Sequence, residues 1–159
     1  MDLPERSIAE WQRAFDAREW TSVALCEEFL RRVRELDAAG PTLRSVIESN
    51  PDALNIAAAL DAERQIRGPR GPLHGVPIVV KDSVDTADRM MTTAGSLALV
   101  GNYASRDATV VARLRKAGAV LLAKTNMSEW GYMRSTRACS GWSSRGGQVS
   151  NPYVLDRSP

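Results

Sequence analysis

GVPIVVKDSVDT, residues 75–86, combines an apolar run with two charged residues at its end. Its apolar run, Pro77 to Val80, is typical of a buried β-strand, and the run ends at Lys81 and Asp82. Lysine is almost never fully buried without a partner. A lysine at the end of a core strand therefore needs an explanation.

Three explanations for Lys81 fit the residues. It can pair with a carboxylate from another element, hold an anion beside the glycine-rich loop 68–75, or act as a catalytic base. The loop lacks the residue order of a phosphate-binding loop. The neighbouring Asp82 points to the opposite face of a strand, so it is a poor partner for the same site. The residues alone favour the ion pair, because structural networks also contain buried charges.

A second strand with a helix before it gives the fold class. AVLLAKT, residues 119–125, is another buried-type apolar run, and the apolar spacing of residues 110–117 predicts a helix before it. Asp107 is the expected N-cap of that helix, and Gly118 ends it. The order strand, helix, strand predicts two parallel strands in an α/β sheet.

The chain before the glycine-rich loop reads as helical. SIAE, residues 7–10, has the form of a capping box and begins a first helix. A second helix is predicted to start near Thr21 and to stop at Gly40-Pro41, and a third to open at residues 50–52. Residues 43–49 are a candidate short strand between the second and third helices.

Composition excludes several function classes. The 159 residues suit one globular domain, and the net charge of +2 comes from interspersed charges, so no nucleic-acid partner is expected. The two cysteines and the single histidine match no metal-ligand spacing, and we expect no cofactor. No apolar run approaches the length of a membrane span, so no membrane partner is expected. Residues 1–11 lack the apolar core of a secretory signal, which predicts a cytoplasmic location.

Several linked blocks of sequence resemble the amidase signature family. GPLHGVPIVVKD (71–82), TTAGS (92–96) and DATVVARLRKAGAVLLAKTNMSEW (107–130) match it in order and spacing, and residues 140–159 resemble its peptide-amidase-like branch. The resemblance implies a mixed β-sheet flanked by helices. We therefore expect residues 1–159 to be the N-terminal part of a single amidase signature domain of the α/β class. In that domain, residues 1–69 form a helical segment and residues 70–159 the first, incomplete part of the α/β core.

The resemblance changes the interpretation of Lys81. The family hydrolyses amide bonds with a Ser–cis-Ser–Lys triad, and its catalytic lysine stands at the position of Lys81. In that role Lys81 takes a proton through a bridging serine, and burial at the strand end is expected to keep its amine neutral. The two serines of the triad are expected beyond Pro159, so this chain alone is expected to be inactive.

Other roles are implied by the same resemblance. Gly131 to Met133 are expected close to the substrate pocket, and residues 93–96 and 145–148 are expected to pack around the loop that carries Lys81. Lys124 is expected to be structural, with hydrogen bonds near the loop that follows it.

Two further side chains have structural interpretations. His74, alone in its loop, is interpreted as structural. Ser128 is a candidate N-cap of a short helix.

Two alternatives to an amide hydrolase stay open. One is a protein like an amidotransferase subunit of the tRNA-charging branch, which shares the triad and needs partner subunits. The other is a non-catalytic truncated paralogue that kept the lysine. For the hydrolase, the substrate is expected to be a peptide amide or a small-molecule amide. The sequence does not define the oligomeric state.

Overall fold

The computed structural model describes residues 5–133 and 135–159. Within these residues lie four α-helices, a π-helical turn that continues the second of them, and five strands. The helices are α1 (Ile8–Asp16), α2 (Ser22–Arg32) with the π-helical turn Val33–Ala38, α3 (Ala53–Arg67) and α4 (Thr109–Lys116). The strands are β1 (Val46–Ser49), β2 (Pro77–Lys81), β3 (Val120–Thr125), β4 (Trp142–Ser143) and β5 (Gly147–Gln148). Two short 3₁₀ helices, Leu97–Leu99 and Glu129–Tyr132, lie in the connections.

The main sheet has three strands in the order β1-β3-β2. β2 and β3 are parallel, with Val80 opposite Lys124 and Lys81 opposite Thr125, whereas β1 runs antiparallel to β3. β4 and β5 form a separate antiparallel hairpin. The prediction of parallel strands joined through a helix is therefore confirmed, and the sheet is mixed.

The predicted starts of α1 and α2 are confirmed by their caps. Ser7 Oγ accepts a hydrogen bond from the Glu10 amide, and the Glu10 carboxylate accepts one from the Ser7 amide, which is the predicted capping box. Hydrogen bonds that the Ser7 hydroxyl and then the Ser7 amide donate to the Glu10 carboxylate lower the pKa of Glu10. Thr21 caps α2. The carboxylate of Asp61 on α3 accepts hydrogen bonds from two further amides of the first turn of α2, which ties the two helices together.

The predicted N-cap of α4 is wrong. Ala108 occupies that position, and no side chain caps the helix. The carboxylate of Asp107 instead accepts hydrogen bonds from the Ala87 amide (2.7 Å) and from Arg115 Nε (3.0 Å). Asp107 therefore ties the loop after β2 to α4, a use of its oxygens that competes with capping.

Helices cover both faces of the central strand. Leu122 and Val120 pack with α2 and α3, in a cluster that includes Cys26, whereas Leu121 packs with Met90 and Val111 of α4. The chain consequently buries every residue from Val120 to Lys124. Burial also raises the pKa of the Cys26 thiol to about 12, as suits a small side chain in the core.

Among residues 5–133 and 135–159, no helix is long and apolar enough to cross a membrane.

Candidate active site

Lys81 is the last residue of β2, and its side chain is exposed. Burial of Lys81 was expected, but the described part of the chain does not bury it. β2 lies at the edge of the sheet, and Val79, which shares a face with Lys81, is also exposed (45%). Val80 points to the other face and packs against the Met90 cluster. Lys81 thus projects from the carboxyl end of a parallel strand on the face that these elements leave open.

Asp82, the next residue, has the opposite environment because its side chain is completely buried. Its carboxylate accepts hydrogen bonds from the amides of Gly95 (2.9 Å) and Thr93 (3.3 Å), and also from the Thr93 hydroxyl. Its carbonyl oxygen accepts from the amides of Thr93 and Ala94, both at 3.1 Å. The prediction that residues 93–96 pack around the loop that carries Lys81 is confirmed.

Arg145 brings a positive charge to the same place. Its side chain is 10% exposed. Nη1 lies 3.4 Å from Asp82 Oδ1 and 3.2 Å from Thr93 Oγ1, and Nη2 pairs with Glu48 of β1. Its main-chain amide donates to Gly95 O (3.0 Å). Sequence reasoning placed 145–148 here but missed the pairing with Glu48. An arginine within a stretch of glycine and serine was the only signal available.

Lys124 is the lysine that the fold does bury, and its side chain has no exposed surface. Its Nζ donates to Val84 O (2.7 Å) and to Thr92 Oγ1 (2.9 Å). Burial lowers the pKa of Lys124, and nearby carboxylates, Asp82 first, oppose that shift. These partners lie in the segment after β2. The predicted contact with the loop after Lys124 is therefore wrong, and the hydrogen bonds follow the neighbouring parallel strand instead.

Gly131 and Met133 are both exposed, Met133 by 79%. Gly131 (φ +68°) lies between Trp130 and Tyr132, which also have positive φ. The Trp130 amide donates to Ala94 O (3.0 Å), and the Ala94 amide donates to Asp82 O, so a chain of main-chain bonds links this segment to the end of β2. The placement of Gly131 and Met133 at a substrate pocket stays a prediction.

A cavity of about 220 Å³ lies beside the same segment. Its lining combines aromatic rings with polar groups: Glu129, Trp130, Ser135, Arg137, Ala138, Cys139 and Trp142. Trp130 therefore contributes to this cavity directly, from the position before Gly131.

Three serines near the site are occupied by structural hydrogen bonds. Ser128 is the N-cap residue of the 3₁₀ helix Glu129–Tyr132, as predicted, but its Oγ accepts from the Gly141 amide (2.9 Å) and makes no capping hydrogen bond. Ser143 Oγ donates to Asn126 Oδ1 (2.7 Å), and Ser144 Oγ accepts from the Leu97 amide (3.0 Å). The hydroxyls therefore stabilise the loops that surround the ends of β2 and β3.

His74 is completely buried, in agreement with its structural interpretation. Its Nδ1 accepts from the Arg70 amide (3.3 Å), which leaves Nε2 as the donor to Leu60 O (2.9 Å) on α3. Gly118 lies against the ring with φ +83°, and a Cβ at that position would lie 2.8 Å from Nδ1.

No group of three or more His, Cys, Asp or Glu side chains is arranged for a metal ion within the described part of the chain.

Comparison with known proteins places these features in a family. The family model Amidase matches residues 24–159. A probable amidase of Arabidopsis thaliana is 46% identical over 159 residues, which is 99% of this chain and 30% of that protein. A glutamyl-tRNA(Gln) amidotransferase subunit of Halorhodospira halophila is 39% identical over 157 residues, which is 99% of this chain and 31% of that protein.

The fold agrees with solved structures of the same family. The native peptide amidase of Stenotrophomonas maltophilia superposes with a TM-score of 0.94 at 50% identity, over 98% of this chain and 31% of that one. An amidase family protein of Bacillus anthracis superposes with a TM-score of 0.91 at 41% identity, over 95% of this chain and 30% of that one. The chain thus spans about 30% of the length of its relatives and forms an incomplete amidase signature fold. This chain belongs to the amidase family.

Proposed function

We propose that this chain supplies the proton-accepting lysine, Lys81, of an enzyme that hydrolyses amide bonds. The observation that carries the proposal is the placement of Lys81. It projects from the carboxyl end of a parallel strand, where ligands commonly bind in α/β sheets, while Asp82 beside it is held by four groups. The family resemblance of residues 71–82 assigns the catalytic role to the same lysine.

The proposed reaction is acyl transfer through a serine. Neutral Lys81 Nζ accepts a proton from a bridging serine while that serine accepts the proton of the nucleophilic serine. The nucleophile's oxygen then bonds to the amide carbon, and the C–N bond breaks as the transferred proton returns to the leaving nitrogen. Water hydrolyses the resulting ester and releases the acid. Both serines belong to parts of the family domain outside these 159 residues.

The exposure of Lys81 adds a requirement to this mechanism. A lysine that accepts a proton near neutral pH must be largely uncharged, and desolvation is one way to achieve that. Since the described elements leave Lys81 exposed, the groups that desolvate it must come from outside them. We therefore infer that residues 1–69 and 70–159 are the N-terminal part of one larger domain whose remainder covers this face of the sheet.

The proposed substrate class rests on the similarity of this chain to a peptide amidase. A peptide amidase is 50% identical to this chain, which favours the carboxy-terminal amide of a peptide, with small-molecule amides next. Neither nucleic acid nor membrane enters this proposal, and a cytoplasmic location stays a prediction.

An amidotransferase component is the second candidate, supported by 39% identity to a protein of that kind. Release of ammonia only in the presence of partner subunits and charged tRNA would favour it. A non-catalytic paralogue is the third candidate, and it predicts no turnover at all.

The test uses the natural protein that carries this chain, at its full encoded length. A dipeptide with an amidated carboxyl terminus is supplied, and release of ammonia is measured for the wild type, Lys81→Ala and Lys116→Ala. Lys116 is the matched control, because it is also an exposed lysine. Loss of a triad member typically lowers kcat by about 10⁴-fold, so Lys81→Ala is expected to be inactive and Lys116→Ala unchanged. Equal activity of the two variants would end the assignment of Lys81.

A further inference from the structure

Arg145 joins three segments of the chain that meet at the end of β2. We propose that it is a positioning residue, which fixes the direction of Lys81 by holding Asp82. The proposal rests on the proposed function, since it assumes that Lys81 is the base. It adds a residue from the far end of the chain, 63 positions away from its partner, to the machinery of the reaction.

Arg145 lies at the centre of a largely buried ion-pair network. One nitrogen of its guanidinium faces Asp82 and Thr93, and the other pairs with Glu48 of β1. The side chains of Arg145 and Glu48 are 10% and 18% exposed, and that of Asp82 is fully buried. The planar fork of arginine suits such a double contact, and lysine cannot reproduce it.

Fixing Asp82 also fixes Lys81. The two residues share a peptide plane, so the direction of the Lys81 Cα–Cβ bond depends on the few backbone torsions between them and their anchors. The Asp82 amide donates to Thr125 O (3.1 Å), and Lys81 O accepts from the Val84 amide (2.9 Å). With the Asp82 carboxylate also held, the backbone position from which the long Lys81 side chain extends is fixed.

Arg145 provides a positive charge, which the other hydrogen-bond partners of Asp82 lack. Thr93 and Gly95 offer neutral donors, whereas a buried carboxylate needs a positive charge to offset its lost hydration. The Lys124 ammonium also acts on Asp82 electrostatically, but its Nζ bonds go to Val84 and Thr92. Among the described residues, Arg145 is therefore the cation that contacts the Asp82 carboxylate directly.

The experiment compares Arg145→Met with Arg64→Met in the natural protein at its full encoded length. Arg64 is a matched control, since its side chain is also 10% exposed and bonds to Asp16 and Gln12 on α1. A double variant, Arg145→Met with Asp82→Asn, removes the unpaired buried carboxylate that could unfold the single variant. Two quantities are measured: kcat and KM with the amidated dipeptide, and hydrogen exchange of the Asp82 amide by NMR.

For Arg145→Met we expect kcat to fall by about 10- to 100-fold with KM within about twofold, because a misplaced base slows the chemical step. The Asp82 amide is expected to exchange faster in both Arg145 variants. Arg64→Met is expected to leave kcat and Asp82 exchange at wild-type values.

Each other outcome has a distinct meaning. Unchanged Asp82 exchange in a folded Arg145 variant, or a kcat equal to that of Arg64→Met, overturns the positioning role. Loss of the folded state in both Arg145 variants also overturns it, since Arg145 would then hold the whole fold. An active Lys81→Ala variant or an inactive wild type refutes the proposed function instead, and the exchange measurement still decides whether Arg145 fixes the strand end.

Discussion

Lys81 and Lys124 lie at the ends of neighbouring parallel strands, in almost the same register, and their environments are opposite. Lys81 is exposed, whereas Lys124 has no exposed surface and donates to two acceptors. Both follow an apolar run of similar length. The difference comes from the position of each strand, because β3 is central and covered on both faces while β2 lies at the edge.

The comparison separates two uses of the same residue type. Lys124 crosses from β3 to the segment after β2 and holds that segment through Val84 and Thr92. Because Lys124 has no exposed surface and its amine donates to two acceptors within the fold, we interpret it as a structural residue. Lys81 is exposed instead, which suits a catalytic base, because a base must be accessible to the group that gives it a proton.

The largest expected effect on stability comes from Lys124→Ala. The substitution leaves a cavity and removes the donor from Val84 O and Thr92 Oγ1, so the free energy of unfolding should fall by about 3 kcal/mol. Urea denaturation of the natural protein measures this change. Lys124→Met fills most of the volume and should lose less. A loss below about 1 kcal/mol for the alanine variant would show that Lys124 is not the structural lysine.

A smaller effect depends on pH. Since burial lowers the pKa of Lys124 below its ordinary 10.5, the folded state binds fewer protons than the unfolded state between the two values. The free energy of unfolding of the wild type should therefore rise with pH across that window, relative to Lys124→Met, which has no amine to titrate. Denaturation curves between pH 7 and pH 10.5 test this sign. Parallel curves for the two proteins would contradict a lowered pKa.

The smallest expected effect is on the stability of Lys81→Ala. The described elements do not bury Lys81, and the proposed role of its amine is chemical rather than structural. The variant should therefore change the free energy of unfolding by no more than about 0.5 kcal/mol, as is usual away from packed or paired features. Urea denaturation of the natural protein measures this change too, next to that of Lys124→Ala. A loss comparable to that of Lys124→Ala would mean that the parts of the protein that cover Lys81 use it structurally.

Much of the architecture was predictable because it depends on local signals. The capping box at Ser7, the start of α2 at Thr21 and the two apolar strands follow from residue types at short spacing. The exposure of Lys81 was not predictable, since an apolar run looks the same in a central strand and in an edge strand. The pairing of Arg145 with Glu48 joins residues 97 positions apart, a distance at which no periodic pattern operates.

The contact of Gly118 with His74 limits how this protein can evolve. The imidazole occupies the space that any larger residue at 118 would need, and the turn at 118 is also where the chain passes from α4 to β3. A side chain at 118 would push the ring away from Leu60 O and so loosen the attachment of α3. Position 118 is therefore restricted to glycine twice, by the contact with His74 and by its φ of +83°, so replacing His74 alone would not free it.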